Sequence, residues 1–322
     1  MIVVNLIGRI GNQLFIYAIA EAIRQRRGRN EKIVFYDKEI LDCKWKNSLE
    51  DYDLLHVEYH HDYSNCDRLT RYKMSILHRF YKKVGNGDFQ KRYRYEMLFQ
   101  PLLNIFGIVS CIDGYTRVIT PWTKHVYING YFQVEKYFHD ISRQVKQAFT
   151  YRLPILRNKD YVQQLESRNS ICISVKVEHN ADNPRGYVCD QSYYIRAIDY
   201  IIKHVENPLF FICSDNVPYV LEHLIDVSQY DYICQESDIP VSDSLAIMST
   251  CKHFIINNTS YGWWAQYLSS REDKIVVAPN QWFTDENHPA QLFDSKWYLI
   301  DVSERITLNK KLISKEVNDE CK

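Results

Sequence analysis

The chain has 322 residues and no C-x-x-C pair, although it contains nine cysteines, at 43, 66, 111, 172, 189, 213, 234, 251 and 321. An odd number of widely spaced thiols argues against a disulfide framework and a zinc centre, so they read as reduced and mostly buried filler, with no metal expected. Net charge is also missing. Forty Lys and Arg balance forty Asp and Glu, so no overall field draws the chain to nucleic acid or to an acidic membrane, and any such attraction has to be local. No uncharged run approaches the roughly 20 residues of a membrane span. The short apolar start, Ile2 to Ile7, lacks the charged n-region and long h-region of a signal peptide. The expected compartment is therefore the cytoplasm. There is no internal repeat and no low-complexity tract. What is present is 46% apolar residues, enough for a large core and, by length, about two domains.

Periodicity predicts an α/β chain. Ile2 to Ile7 and Lys32 to Tyr36 read as strands on either side of a helix from about Asn12 to Arg26, whose Leu14, Tyr17, Ala18, Ala20, Ala22 and Ile23 form an apolar stripe. From Ile171 the alternation resumes. Strands at 171–177, 209–214, 253–257 and 274–278 alternate with helices at about 190–204, 217–224, 244–250 and 260–269. Such β-α units predict parallel, doubly wound sheets. The stretch from about 37 to 120 is less regular and basic, and is read as an elaboration of the first half. A linker is expected between Phe149 and Ser170, around Leu153-Pro154, which gives domains of 1–155 and 156–322.

Two stretches carry chemistry. In Gly8-Arg9-Ile10-Gly11-Asn12-Gln13, glycines between a strand and a helix permit positive φ and close approach, and the helix start favours an anion or a sugar hydroxyl. Arg9 and Asn12 would project there. The pattern is not G-x-G-x-x-G, since two residues separate Gly8 and Gly11 and no third glycine follows. A bare strand-to-helix turn stays open as the alternative. The second stretch is Leu245 to Ser270, in which an apolar strand delivers Asn257, Asn258, Thr259 and Ser260 to the sheet edge where open α/β folds bind ligands. A diphosphate would fit there, or the hydroxyls merely cap the helix.

Taken together, GRIGNQLFIYA (8–18), GYFQVEKYF (130–138), CDQSYYIRAIDYI (189–201), FFICSDN (210–216), SLAIMSTCKHFIINNTSYGWW (244–264) and KIVVAPNQWF (274–283) resemble the family 11 glycosyltransferases, the α-1,2-fucosyltransferases. The resemblance implies a GT-B-like pair of Rossmann-type domains, an N-terminal acceptor side and a C-terminal nucleotide-sugar side. It also implies a GDP-fucose donor as substrate, inversion at the anomeric carbon, and no required metal or other cofactor. The opening turn is similar to the G-R-F-G-N-Q turn of protein O-fucosyltransferases, in which the Arg and Asn lie at the reaction centre. One departure stands out. Where the family has H-x-R-R-G-D-Y, this chain has Lys176-Val177-Glu178-His179-Asn180-Ala181-Asp182, with Glu178 at the phosphate-facing arginine. Lys176, or Arg185 in a longer loop, is the expected compensation.

On this reading Arg9, Asn12, Glu178 and His179 are catalytic; Glu178, His179 and Asp182 are in reach by sequence for a base, and a weak or absent base stays open as the alternative. Gly8, Gly11, Lys176, Arg185, Ser214, Asp215, Asn258, Thr259 and Ser260 hold the donor, and Asp215 has a helix-cap reading of equal weight. Two other function classes are weighed. A metal-dependent GT-A enzyme would use Asp51-Tyr52-Asp53, but no apolar strand precedes that pair. A diverged homologue could take another nucleotide sugar, or bind carbohydrate without turnover. The basic, aromatic stretch 67–97 suits either peripheral attachment to the inner face of an anionic membrane or a solvated helical face with core aromatics, and the second is preferred.

Overall fold

The computed structural model describes residues 1–84, 89–112, 114–177, 186–284 and 292–309. They form two units, one over Met1–Ala148 and one over most of the chain from Phe149. Each is built on a wholly parallel sheet.

In the first unit, β1 (Ile2–Asn5), α1 (Ile10–Arg27) and β2 (Ile33–Tyr36) open the chain. They are followed by α2 (Lys38–Asp42), β3 (Val57–His60), α3 (Arg68–Val84), α4 (Phe89–Ile105), β4 (Ile108–Cys111), β5 (Val126–Gly130) and α5 (Ser142–Phe149). The sheet order is β3-β2-β1-β5-β4. Every residue of β1, β2 and β4 is buried, which is why these strands read as short apolar runs of Ile, Val and Phe: a parallel sheet is covered on both faces. α1 is buried over most of its first four turns and ends at Gly28, which adopts the left-handed φ of +60° behind Arg24, Arg26 and Arg27. The order reverses between β1 and β5, and that places the β1-to-α1 turn at a topological switch point.

The second unit contains α6 (Leu153–Leu156), α7 (Asp160–Ser167), β6 (Asn169–Val175), α8 (Gln191–His204), β7 (Pro208–Ser214) and α9 (Val217–His223). It continues with β8 (Asp231–Cys234), α10 (Val241–Met248), β9 (His253–Ile256), α11 (Ser260–Leu268), β10 (Val276–Pro279) and β11 (Tyr298–Ile300). Its order, β11-β10-β9-β6-β7-β8, is the doubly wound order of dinucleotide-binding folds, with the reversal between β6 and β9. Ile171, Ile173 and Val175 of β6, Phe210 and Ile212 of β7 and Ile255 of β9 meet Tyr193 and Tyr194 of α8 in one core cluster. Tyr193 is fully buried, and its hydroxyl donates to the Ile256 carbonyl at 2.5 Å, so the phenol is satisfied where strands β9 and β10 end.

Two expectations need correction, the second in part. The stretch 37–120 is not irregular: it supplies β3, β4 and two 17-residue helices. The aromatics of 67–97 divide: Phe80 and Tyr81 pack against the core of the first unit as expected, whereas Tyr72 and Tyr95 are exposed. The boundary between the units falls at Ala148–Phe149, at the start of the expected linker, and around Leu153-Pro154 the chain makes a helical turn with the proline in its first turn. The thiols are as expected: Cys66, Cys111, Cys172, Cys189, Cys213 and Cys251 are buried and unbridged, and burial raises the pKa of each above the ordinary thiol value.

Candidate functional site

The opening turn of the first unit is shaped by Gly8, Asn12 and Gln13. Gly8 has φ +73°, and a Cβ there would lie 2.9 Å from the Asn12 Cβ, so no other residue fits without displacing the Asn12 side chain. Arg9 takes the cap position of α1 in extended conformation, and its guanidinium carbon lies 5.5 Å from the centroid of the Trp45 ring. Asn12 Oδ1 accepts a 2.6 Å bond from Gln133 Nε2 just past β5, which ties the helix start to the strand across the switch point. Gln13 is fully buried. Its Nε2 donates to the carbonyls of Gly8 and Lys46, each at 2.9 Å, and its Oε1 accepts from Ser48 N–H at 2.8 Å. A glutamine that ended the quoted motif with no assigned role is thus the clamp that holds the turn against the loop carrying Trp45.

The same loop reaches a polar cluster beside β2 and β3. Asp37 is fully buried, accepts from Asn47 Nδ2 at 3.0 Å, and lies 3.1 Å from His61 Nδ1. Asp37, Glu50 and His61 bring one donor atom each within 4.8 Å of the others, the grouping among the described residues with the chemistry to take a cation. Nothing in the spacing 37, 50, 61 signals it; only the parallel pairing of β2 with β3 does. The Asp51-Tyr52-Asp53 pair sits at the end of a 3-10 turn over Ser48–Asp51, not at a strand end, and Asp51 pairs with Lys46. That is not the placement of a GT-A metal motif.

In the second unit the register levels three strand ends, with Val175 opposite Ser214 and Ser174 opposite Ile256. Lys176, Asp215 and Asn257 follow at one edge. Asp215 Oδ2 accepts from Lys176 Nζ at 2.5 Å and its Oδ1 accepts from Val177 N–H at 2.8 Å. The Ser214 hydroxyl donates to the same carboxylate at 3.2 Å. Asp215 therefore splices β7 to β6. The cap of α9 is Asn216, whose side chain accepts from Tyr219 N–H, so the helix-cap reading of Asp215 is overturned.

Across the switch point, Thr259 caps α11. Its Oγ1 accepts from Gly262 N–H at 3.1 Å and donates to Asn257 Oδ1 at 2.8 Å. Asn258 Nδ2 donates to the carbonyls of Gly186 at 2.6 Å and Trp282 at 2.9 Å, pinning two loops to the strand end. Nothing in the sequence around Gly262 signals its role. A Cβ there would come within 3.1 Å of Ser174 Oγ and 3.3 Å of Asn257 Oδ1, so this glycine lets the first turn of α11 lie against β6 and β9. Ser260 opens that helix, where N–H groups favour an anion.

The site residues named from the sequence thus fall into two sets. Gly8, Arg9, Gly11 and Asn12 are together in the first unit, whereas Lys176, Ser214, Asp215, Asn258, Thr259 and Ser260 are together at the sheet edge of the second. Glu178, His179, Asp182 and Arg185 lie outside the described residues.

Comparison with known proteins is consistent along the chain. Residues 1–301 match the family described as glycosyl transferase family 11. The chain is 27% identical over 321 residues to the O-antigen biosynthesis glycosyltransferase WbnK of Escherichia coli, across 89% of this chain and 97% of that protein. It is 25% identical over 320 residues to an alpha-1,2-colitosyltransferase of Escherichia coli, across 94% and 99%. Similarity to the galactoside alpha-(1,2)-fucosyltransferase 1 of Rattus norvegicus is 24% over 301 residues, across 90% and 70%.

Proposed function

The chain belongs to glycosyl transferase family 11, and on that premise we propose that this glycosyltransferase moves L-fucose from GDP-fucose to a sugar hydroxyl, with inversion and in α-1,2 linkage. The acceptor on this reading is a galactoside in glycan or polysaccharide synthesis, and no metal takes part. The carrying observation is the strand order of the second unit, whose reversal between β6 and β9 sets Lys176, Asp215, Thr259 and Ser260 along one edge. The names of the rat fucosyltransferase and the colitosyltransferase, both α-1,2 enzymes, support the linkage.

In the proposed reaction the acceptor hydroxyl oxygen attacks the anomeric carbon as the bond to the diphosphate breaks. The bonding pair leaves with the diphosphate, and the hydroxyl proton passes to a base for which Glu178 and His179 are the proposed groups. Charge developing on the leaving group needs fixed donors. Those proposed are Arg9, the N–H groups and hydroxyl at the start of α11, and Lys176 or Arg185. Asn12 orients the sugar. Asp215, at the end of the strand beside β6, accepts from a ribose hydroxyl, as acids so placed do in related folds. Gly8 and Gly11 allow close approach of the donor sugar.

One relative is named for colitosyl transfer, so a different deoxy sugar is the second reading. The test is turnover with GDP-L-fucose, GDP-L-colitose and GDP-D-mannose on a β-galactoside, with and without chelator, and assignment of the product linkage by NMR. An α-1,2-fucosylated product formed equally well with chelator supports the proposal. Exclusive use of colitose selects the second reading, and turnover with none of the three counts against both.

A further inference from the structure

α4 is built inside out. Its buried side chains are mostly polar, Arg92, Glu96, Gln100 and Asn104, with Leu103 between them. At positions 95, 98, 99, 102 and 105, one stripe of helical spacing, it exposes Tyr95, Leu98, Phe99, Leu102 and Ile105, and Phe106 just past its end is exposed too. Leu98 and Ile105 are each 70% exposed.

The cause lies in the sheet. β4 is an edge strand, and a buried edge leaves N–H and C=O groups that need partners. The inward face of α4 supplies them. Gln100 Oε1 accepts from Ser110 N–H at 3.3 Å, Gln100 Nε2 donates to the Ile108 carbonyl at 3.4 Å, and Glu96 Oε1 accepts from Ile112 N–H at 2.9 Å. With its polar side chains drawn inward, the helix turns its apolar ones outward, although Trp122 nearby in the chain is also 87% exposed. A contiguous apolar stripe of this kind marks a surface that is covered in use.

Charge identifies what covers it. In a chain of zero net charge, α3 carries six Lys and Arg and α4 three, of which Lys73 and Arg92 are buried, against a single acid, Glu96, which is buried as well. Lys91 and Arg94 are exposed and, by helical spacing, lie on the same outward face as Tyr95 and Leu98. Lys82 and Lys83 are exposed at the end of α3. A second copy of the chain seated there would bring two cationic faces together. An anionic lipid surface complements both the charge and the apolar stripe. Among the described residues no helix is long and apolar enough to cross a membrane, so the contact is one that lies on the bilayer.

We infer that the outward face of α4, flanked by the cations of α3, docks this protein on a bilayer of anionic phospholipid, with Leu98 and Ile105 entering the headgroup boundary. The inference stands apart from the proposed transfer reaction, because docking needs neither donor nor acceptor.

The test is co-sedimentation of the full chain with vesicles of phosphatidylcholine alone or with about 30% phosphatidylglycerol. Wild type should bind the anionic vesicles at least about tenfold better than the neutral ones and lose that preference in high salt. The double variant Leu98→Glu with Ile105→Glu should lower binding about tenfold at an unchanged melting temperature, and Lys82→Glu with Lys83→Glu should weaken it further for anionic vesicles only. Wild type that stays in the supernatant with anionic vesicles, or undiminished binding by the folded double variant, overturns the inference. So does a wild-type dimer in sedimentation equilibrium that the double variant splits while neither form binds lipid, which would assign the face to a second copy.

Discussion

The two units start their switch-point helices in different ways. α11 is closed by its own chain: Thr259 accepts from Gly262 N–H, is held by Asn257, and Gly262 brings the first turn against β6 and β9. α1 is opened by Arg9, a guanidinium made only of donors, which cannot accept the N–H bonds that a cap accepts. It is Gln13, one turn later, that fastens this helix start to Gly8 and to the loop at 46–48. The same fold element is thus finished for stability in one unit and left headed by a cation in the other. A cation at a helix N-terminus is unfavourable beside the positive end of the helix, and on the proposed function Arg9 is kept there for the charge of the donor. On the proposed function, the second unit binds the nucleotide and Arg9 of the first acts in the transfer step.

Substitutions can break this comparison. The largest effect on folding is expected from Gly262→Val, which would force its side chain between Ser174 and Asn257 and cost roughly 1–3 kcal/mol by overpacking. Urea unfolding and GDP titration should both show the loss, because the helix start has to move away from the sheet. Gly8→Ala comes next. A residue with a side chain at φ +73° against Asn12 should cost about 1–2 kcal/mol, read as a lowered melting temperature together with a lowered transfer rate. Thr259→Ala removes one cap and should cost about 1 kcal/mol, with a modest rise in the dissociation constant for GDP.

The smallest effect is a pH dependence that sharpens the contrast without touching either helix start. Burial lowers the pKa of His253, whose Nδ1 accepts from Ile275 N–H at 3.0 Å. A histidine held neutral in the fold binds fewer protons there than in the unfolded chain. Its contribution is therefore complete above the unfolded value of about 6.5 and is lost as pH falls below it. His125 in the first unit is shifted the same way by burial. Thermal unfolding of wild type and His253→Asn from pH 7.5 to 5.5 should show the wild type losing its advantage on acidification.

Much of this architecture is legible in the sequence, and the exceptions have physical causes. The strands ICIS, FFIC and FII and the helices between them announce themselves by length and apolar run, because buried parallel strands need little else. β3 reads VEYH and is half-buried at an edge, while β8 begins DY and is likewise exposed, so neither carries a hydrophobic signal. α4 misleads for a deeper reason: Pro101 lies inside it, and its polar residues face the edge strand while its apolar ones face out. Periodicity alone cannot tell which side of such a helix is the core. At the site, Arg9, Asn12, Thr259 and Asp215 were visible as residue types at strand ends. Gln13, Gly262 and the Asp37–His61 contact were not, since each acts through a partner more than 20 residues away that only the fold brings near.

The division of labour between the units is tested most directly by one variant measured twice. On Arg9→Ala, GDP affinity and the rate of sugar transfer are determined on the same preparation. A preorganised cation at the reaction centre is worth about 3 kcal/mol in the transition state, roughly 100-fold in rate. The predicted result is a loss of that size in transfer, with GDP bound within about twofold of wild type. Transfer that continues at the wild-type rate, or a collapse of GDP binding that by itself accounts for the lost rate, would contradict the account.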